Sequence, residues 1–193
     1  MAAKNHLAFA LVAAFFITAV LPSCQSKDTE PQIQWQPPAW QLTDAEGETF
    51  RYPEDLEGAT IVLFWASWCP YCKALMPHLQ SIISEYGGDI EVLALTIRDD
   101  EDPAAFLRER GFDFRLFEQA DDVAEKWNVK GTPGLYLVDG TGKAIFSNFA
   151  IPDEAYPEDP EALVRQLKHY EKAMRRAPVW AAKLRHAIDK TLL

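Results

Sequence analysis

A continuous apolar run that leads into two cysteines three positions apart limits this chain more than any other feature. Residues 59–67, ATIVLFWAS, are rich in β-branched and aromatic side chains and suit a strand buried on both faces. Cys69 follows that strand directly, and Pro70 suits the first turn of a helix, where its missing N–H costs nothing. Leu75, Leu79, Ile82, Ile83 and Tyr86 then recur at helical spacing until Gly87-Gly88 stops the pattern, with a kink expected at Pro77. The pair Cys69 and Cys72 therefore sits where a buried strand hands over to a helix N-terminus. It is a metal clamp, a structural disulfide or a redox centre.

Zinc takes three or four protein ligands, and the four histidines, His6, His78, His169 and His186, supply no second ligand pair. His78 lies further along the same helix as Cys72 and points away from the end that carries the sulfurs, so no metal is expected. A purely structural disulfide closing a two-residue gap would constrain the unfolded chain little, because that stabilisation grows with the loop closed. A cysteine at a helix N-terminus, by contrast, meets unpaired N–H groups and the positive end of the helix dipole, which favour thiolate over thiol. That makes Cys69 the expected nucleophile.

The start of the chain bears on compartment. Lys4 precedes the apolar run LAFALVAAFFITAVL, too brief to span a bilayer comfortably, which reads as an export signal over residues 1–23. The run ends in LPSC, which resembles the lipobox of bacterial lipoproteins; that resemblance implies lipid on Cys24, at the mature N-terminus, anchoring the chain in the cell envelope facing the periplasm. Pro22 departs from the usual small or aliphatic residue, which keeps a soluble secreted protein and a retained signal anchor as alternatives. Gln25 rather than Asp follows Cys24, and the resemblance to Gram-negative lipoproteins, where Asp there often marks the inner membrane, implies the outer one. With Cys24 on lipid, Cys69 and Cys72 have only each other to pair with. Residues 24–36, polar and proline-bearing, read as a flexible tether, with order expected from near Trp40.

Length and a hydrophobic content of 48% allow one good core, and the formal charge of −10, spread along the chain, disfavours nucleic acid, so no nucleic-acid partner is expected. Further along, AWQLTDAEGETFRY reads as two short strands around Glu46-Gly47, and IEVLALTI as another buried strand. Asp102-Pro103 caps a helix bearing Phe106 and Leu107, FRLFE is a strand, and Asp122 with Glu125 forms a capping-box pattern on a short helix. GLYLVDGTGKAIFSNF reads as a hairpin turned at Asp139-Gly140, Asp159-Pro160 opens a helix, and a further helix after Pro178 places Trp180, Lys183, Leu184, Ala187 and Ile188 on one side for packing.

Taken together, FWASWCPYCKALMPHL and VKGTPGLYLVD strongly resemble the thioredoxin superfamily, in its extracytoplasmic TlpA-like and ResA-like branch of thiol-disulfide oxidoreductases. The resemblance implies an α/β fold with a central mixed sheet, helices on both faces, an N-terminal β-hairpin and an inserted helix and strand near 103–117. It places the thioredoxin-like domain at 37–172 and leaves 173–193 as a C-terminal helical extension. By the same resemblance Cys69 is the exposed attacking thiol, Cys72 the partly buried resolving thiol, and Pro133 a cis-proline that turns the Thr132 backbone toward them. Trp68, Pro70 and Tyr71 flank the pair for substrate, although Trp68 is equally readable as a packed aromatic. No cofactor is implied beyond a redox-active disulfide between Cys69 and Cys72. The partners implied are protein disulfides or dithiols as substrates and an integral-membrane thiol electron donor, and some family members serve cytochrome c maturation. Relatives often help the resolving sulfur with a buried carboxylate, where this chain has Leu63 and Leu75; Glu118 and Asp139 are the substitutes considered. The resemblance implies a reductant of disulfides in exported proteins, while the Pro70-Tyr71 dipeptide between the cysteines does not by itself settle the direction. A non-catalytic binding module stays open, while a peroxidase would carry its cysteine in a Thr- and Pro-bearing loop that WASWC lacks.

Overall fold

The computed structural model describes residues 32–156 and 168–192. The expected export signal, Cys24 with its expected lipid, and the start of the helix after Asp159-Pro160 lie outside these residues. Six strands form one mixed sheet in the order β1 (Gln32–Trp35), β8 (Ala144–Ser147), β7 (Gly134–Val138), β4 (Thr60–Trp65), β5 (Glu91–Thr96), β6 (Arg115–Phe117). The strands β4, β5 and β6 run parallel, whereas β7 lies antiparallel to β4, and β8 and β1 follow antiparallel in turn. Every residue of β4 is buried, as the apolar run after Thr60 requires of a strand covered on both faces. A separate hairpin pairs β2 (Trp40–Thr43) with β3 (Thr49–Tyr52).

Side chains alternate across the sheet and build two cores. Ile61, Leu63 and Trp65 face α1 (Pro70–Glu85), α2 (Pro103–Arg110) and α4 (His169–Leu192); Val62 and Phe64 face α3 (Asp121–Lys126) and the β2–β3 hairpin. The second core is an aromatic box in which Trp127 meets Tyr52, Phe64 and Tyr136 edge-on, with ring centroids 5.1, 5.4 and 5.5 Å apart. Helices and the hairpin thus cover both faces of a thioredoxin-like sheet.

Three boundaries differ from the sequence reading. The tether does not run to residue 36, because Gln32–Trp35 adds a strand to β8, and Ile33 and Trp35 are half-buried on the aromatic core; Trp35 lies 5.7 Å from Trp127. The period-two spacing of two apolar residues was too short to stand out from its polar, proline-bearing surroundings. The short helix does not use the Asp122–Glu125 capping box: α3 starts at Asp121 after Ala120, and the Asp121 carboxylate instead accepts from the Arg98 N–H at 3.2 Å. Finally, Pro178 does not separate two helices. It sits on the exposed side of a continuous α4 whose Ala173, Ala177, Trp180, Ala181, Leu184 and Ile188 are buried in the first core, so packing on either side of the proline holds the helix together. The segment expected as an extension from 173 is thereby part of the domain's core.

Candidate active site

The strand β4 is central in the sheet and ends at Trp65, so whatever follows is delivered to the sheet's carboxyl edge. A short turn, closed by the Cys69 N–H donating to the Ala66 carbonyl at 3.0 Å, puts Cys69 at the N-cap of α1 with Pro70 as its first residue. Lys73 N–H then donates to the Cys69 carbonyl and begins the helix ladder. Cys72 falls in the first turn and is fully buried beside Leu63 and Leu75.

The two sulfurs differ sharply in ionisation. The Cys72 thiol beside it, above all, and then the Thr132 hydroxyl and the N–H groups of Cys72 and Tyr71, hold Cys69 down to about 6 against the opposing effect of burial. Burial pushes Cys72 well above the ordinary thiol range, and the hydrogen bond to Cys69 and the charge there push it in the same direction. Exposure does not separate them: Cys69, expected exposed, is only 2% accessible, with the Thr132 carbonyl 3.4 Å from its Sγ.

The facing loop comes from the start of β7. The Thr132-Pro133 peptide is cis, and Pro133 is buried. Gly134 follows because a side chain has no room there: a Cβ would stand 2.9 Å from Val129 Cγ1 and 3.4 Å from Phe64 Cβ. Tyr71 is half-buried against α4, its ring 6.2 Å from Trp180 and 6.3 Å from His169. Trp68 is 50% exposed beside the cysteine pair. Its indole N–H donates to the Arg98 carbonyl at 2.7 Å, and Arg98 takes a left-handed φ of 51°. A strand, a helix terminus and a proline loop thus gather Trp68, Cys69, Pro70, Tyr71, Cys72, Thr132 and Pro133 at one edge of the sheet.

A model of the AhpC/TSA family matches residues 33–146, more than half of the chain. The chain belongs to the AhpC/TSA family. Among relatives of this AhpC/TSA chain, a thiol:disulfide interchange protein DsbE homolog of Paracoccus denitrificans is 35% identical over 108 residues, 54% of each chain. The thiol-disulfide oxidoreductase ResA of Bacillus cereus is 25% identical over 152 residues, 74% of this chain and 87% of that one. The chain thus spans about half the length of the first and most of the second. In fold it is similar to a putative thiol:disulfide interchange protein DsbE from Chlorobium tepidum, with a TM-score of 0.55 at 23% identity over 73% of this chain and 96% of that one. A thioredoxin domain of a thiol-disulfide oxidoreductase from Bacteroides vulgatus gives 0.53 at 21% identity, over 58% and 85%.

Neither acid considered for proton transfer lies at the sulfurs. Asp139 closes the turn at the far end of β7, accepting from Thr141 and Lys143, about 17 Å along the strand from Gly134. Glu118 is exposed at the end of β6, two strands away from β4. What the structure adds is Ser67 and the loop after β5. The Ser67 N–H donates to Asp99 at 2.6 Å, and its hydroxyl lies 2.8 Å from Asp99 and 2.9 Å from Glu101. Together with the Trp68–Arg98 bond these contacts fix the turn that carries Cys69. A serine ahead of the motif and acids 32 and 34 positions later carry no joint periodicity, so nothing in the sequence ties them together.

Proposed function

We propose that this chain is a thiol-disulfide oxidoreductase of the cell envelope, tethered by lipid on Cys24, that reduces disulfides of exported proteins. The observation that carries the reading is the pair of sulfurs with opposed ionisation at the start of α1, facing the cis Thr132-Pro133 peptide. The names of the Paracoccus and Bacillus relatives support the same chemistry.

The steps follow from the two environments. Cys69, with a pKa of about 6, is mostly thiolate near neutral pH and attacks one sulfur of a substrate disulfide. An S–S bond forms to Cys69, the substrate's own S–S bond breaks, and its second sulfur leaves as thiolate and takes a proton. Cys72 must then lose its proton to attack. Burial is the first cause of its reluctance, and the remaining two causes are the Cys69 hydrogen bond and charge. Both of those vanish when Cys69 enters the mixed disulfide, so the first step itself readies Cys72 for the second. With Leu63 and Leu75 where an acid would help, this release replaces part of what a carboxylate would supply, and water takes the proton. Attack of Cys72 on the Cys69 sulfur frees the reduced substrate and leaves the Cys69–Cys72 disulfide, which a membrane thiol donor reduces in turn. Haem-attachment cysteines of an apocytochrome c are one substrate of the class this chemistry fits.

The Cys72→Ser variant tests the assignment, since it keeps the first exchange and removes the second. Mixed disulfides with envelope proteins should accumulate on non-reducing gels and disappear in the Cys69→Ser variant. Recovery of no adduct, with Cys69 still alkylated readily, would leave a binding module.

A further inference from the structure

The strand β8 pairs with β7 through Ser147 opposite Tyr136, and one residue later the backbone ladder stops as Asn148 enters a single 3₁₀ turn. The next rung is made by a side chain. The Leu135 N–H donates to Asn148 Oδ1 at 2.9 Å, and Asn148 Nδ2 donates to the Pro133 carbonyl at 2.9 Å. The carboxamide copies a peptide group, one acceptor and one donor, and it is 6% exposed in the core beneath the proline loop. Proline lacks an N–H, so its carbonyl is the backbone hydrogen-bonding group that residue 133 has to offer, and Asn148 takes it.

We infer that Asn148 is a positioning residue, whose carboxamide extends the β7–β8 ladder by one rung to Pro133 and so holds Thr132 against Cys69. This rests on the oxidoreductase reading only for its consequence in turnover. The geometry decides how it acts. With the carbonyl of 133 and the N–H of 135 both tied to Asn148, and Gly134 closed in by Val129 and Phe64, the residue left to face Cys69 is Thr132, whose carbonyl lies 3.4 Å from Sγ. The Thr132 hydroxyl is one of the groups that favour the Cys69 thiolate, whereas its carbonyl only accepts, from the Cys69 thiol or from an extended substrate segment; a displaced Thr132 takes the hydroxyl away from the sulfur. The titratable group in contact with Cys69 is Cys72, which the substitution leaves in place.

Asn148→Asp keeps shape and the acceptor for Leu135 but sets an oxygen against the Pro133 carbonyl. Asn148→Ala removes both bonds and carries the test if the aspartate variant does not fold. The readout is the pH profile of iodoacetamide alkylation at Cys69 in the reduced protein, alongside thermal unfolding. Expected for either variant is a midpoint displaced upward from about 6 and an alkylation rate at pH 6 lowered about threefold, with slower exchange on a model protein disulfide. Ile188→Ala, a buried position on α4 far along the chain, should lower stability and leave the profile where it was. A profile unchanged in both Asn148 variants, whatever their stability, overturns the inference. A displaced profile in a protein that exchanges no disulfide even as wild type would support the positioning role and sink the oxidoreductase reading instead.

Discussion

Cys69 and Cys72 are neighbours whose protons behave oppositely, and this has a consequence for stability as well as for chemistry. In the unfolded chain both are ordinary thiols, near 8.5. Between about 6 and that value the unfolded chain holds the Cys69 proton and the folded one does not, so stability of the reduced protein rises with pH across the window and the gain is lost as pH falls through about 6. Cys72 stays protonated in both states there and contributes nothing to the slope. Urea unfolding of reduced wild type and Cys69→Ser should therefore show a larger wild-type advantage at pH 8 than at pH 5; an equal advantage at both would sink the assignment. At this scale the sequence was informative wherever chemistry and position coincide, as with a cysteine at a helix start or a Thr-Pro before a strand. It was silent on Asn148, Ser67 and Asp99, whose importance lies in hydrogen bonds across the fold from residues that could equally sit in any loop.

The elements were legible where one physical pressure acts alone. The mostly apolar β4 and β5, the Asp102 cap that accepts from Ala105 at 2.7 Å, and the turn beginning at Asp139 all follow from local composition. Tertiary packing decided the rest, continuing α4 through Pro178 and recruiting Gln32–Trp35 into the sheet. The β7–β8 turn shows both at once. Local reading picks out Gly140, yet the demanding glycine is Gly142, which has a φ of +78°, would set a Cβ 2.3 Å from Pro53 Cβ, and offers its carbonyl to the Tyr52 hydroxyl and to Gln36. This contact joins the β2–β3 hairpin to the main sheet. Gly142→Ala should cost at least about 2 kcal/mol by crowding and strain, while Gly140→Ala, whose Cβ would meet its nearest neighbour at 3.6 Å, should stay within about 0.5 kcal/mol. Denaturant midpoints of the two variants make the comparison; equal losses would show that the hairpin contact does not set the turn.

For the molecule as a whole, the helix α4 decides where the domain ends. It lies on α1 through Trp180, Leu184 and Ile188, and two polar contacts accompany the packing: Trp180 Nε1 donates to the Tyr156 hydroxyl at 2.7 Å, and Arg185 makes a two-pronged pair with Glu85 at the end of α1 at 2.6 and 2.8 Å. The exposed ion pair adds little, because solvent screens it. The three large buried side chains matter far more, at about 1.5–3 kcal/mol each, a sum comparable with the about 5–15 kcal/mol that holds a whole domain folded. A chain ended at residue 172 should therefore lose its cooperative thermal transition. A sharp melt in that shortened chain would mean that α4 is dispensable and the boundary at 172 is real. The gentler test is Trp180→Ala, expected to cost about 3–5 kcal/mol and to leave a fold that can still be assayed. Because the Trp180 ring also stands 6.2 Å from Tyr71, inside the CPYC motif, that variant should lose disulfide-exchange rate even well below its melting temperature. A variant that melts earlier but exchanges at the wild-type rate would confine α4 to packing and free Tyr71 of any dependence on it.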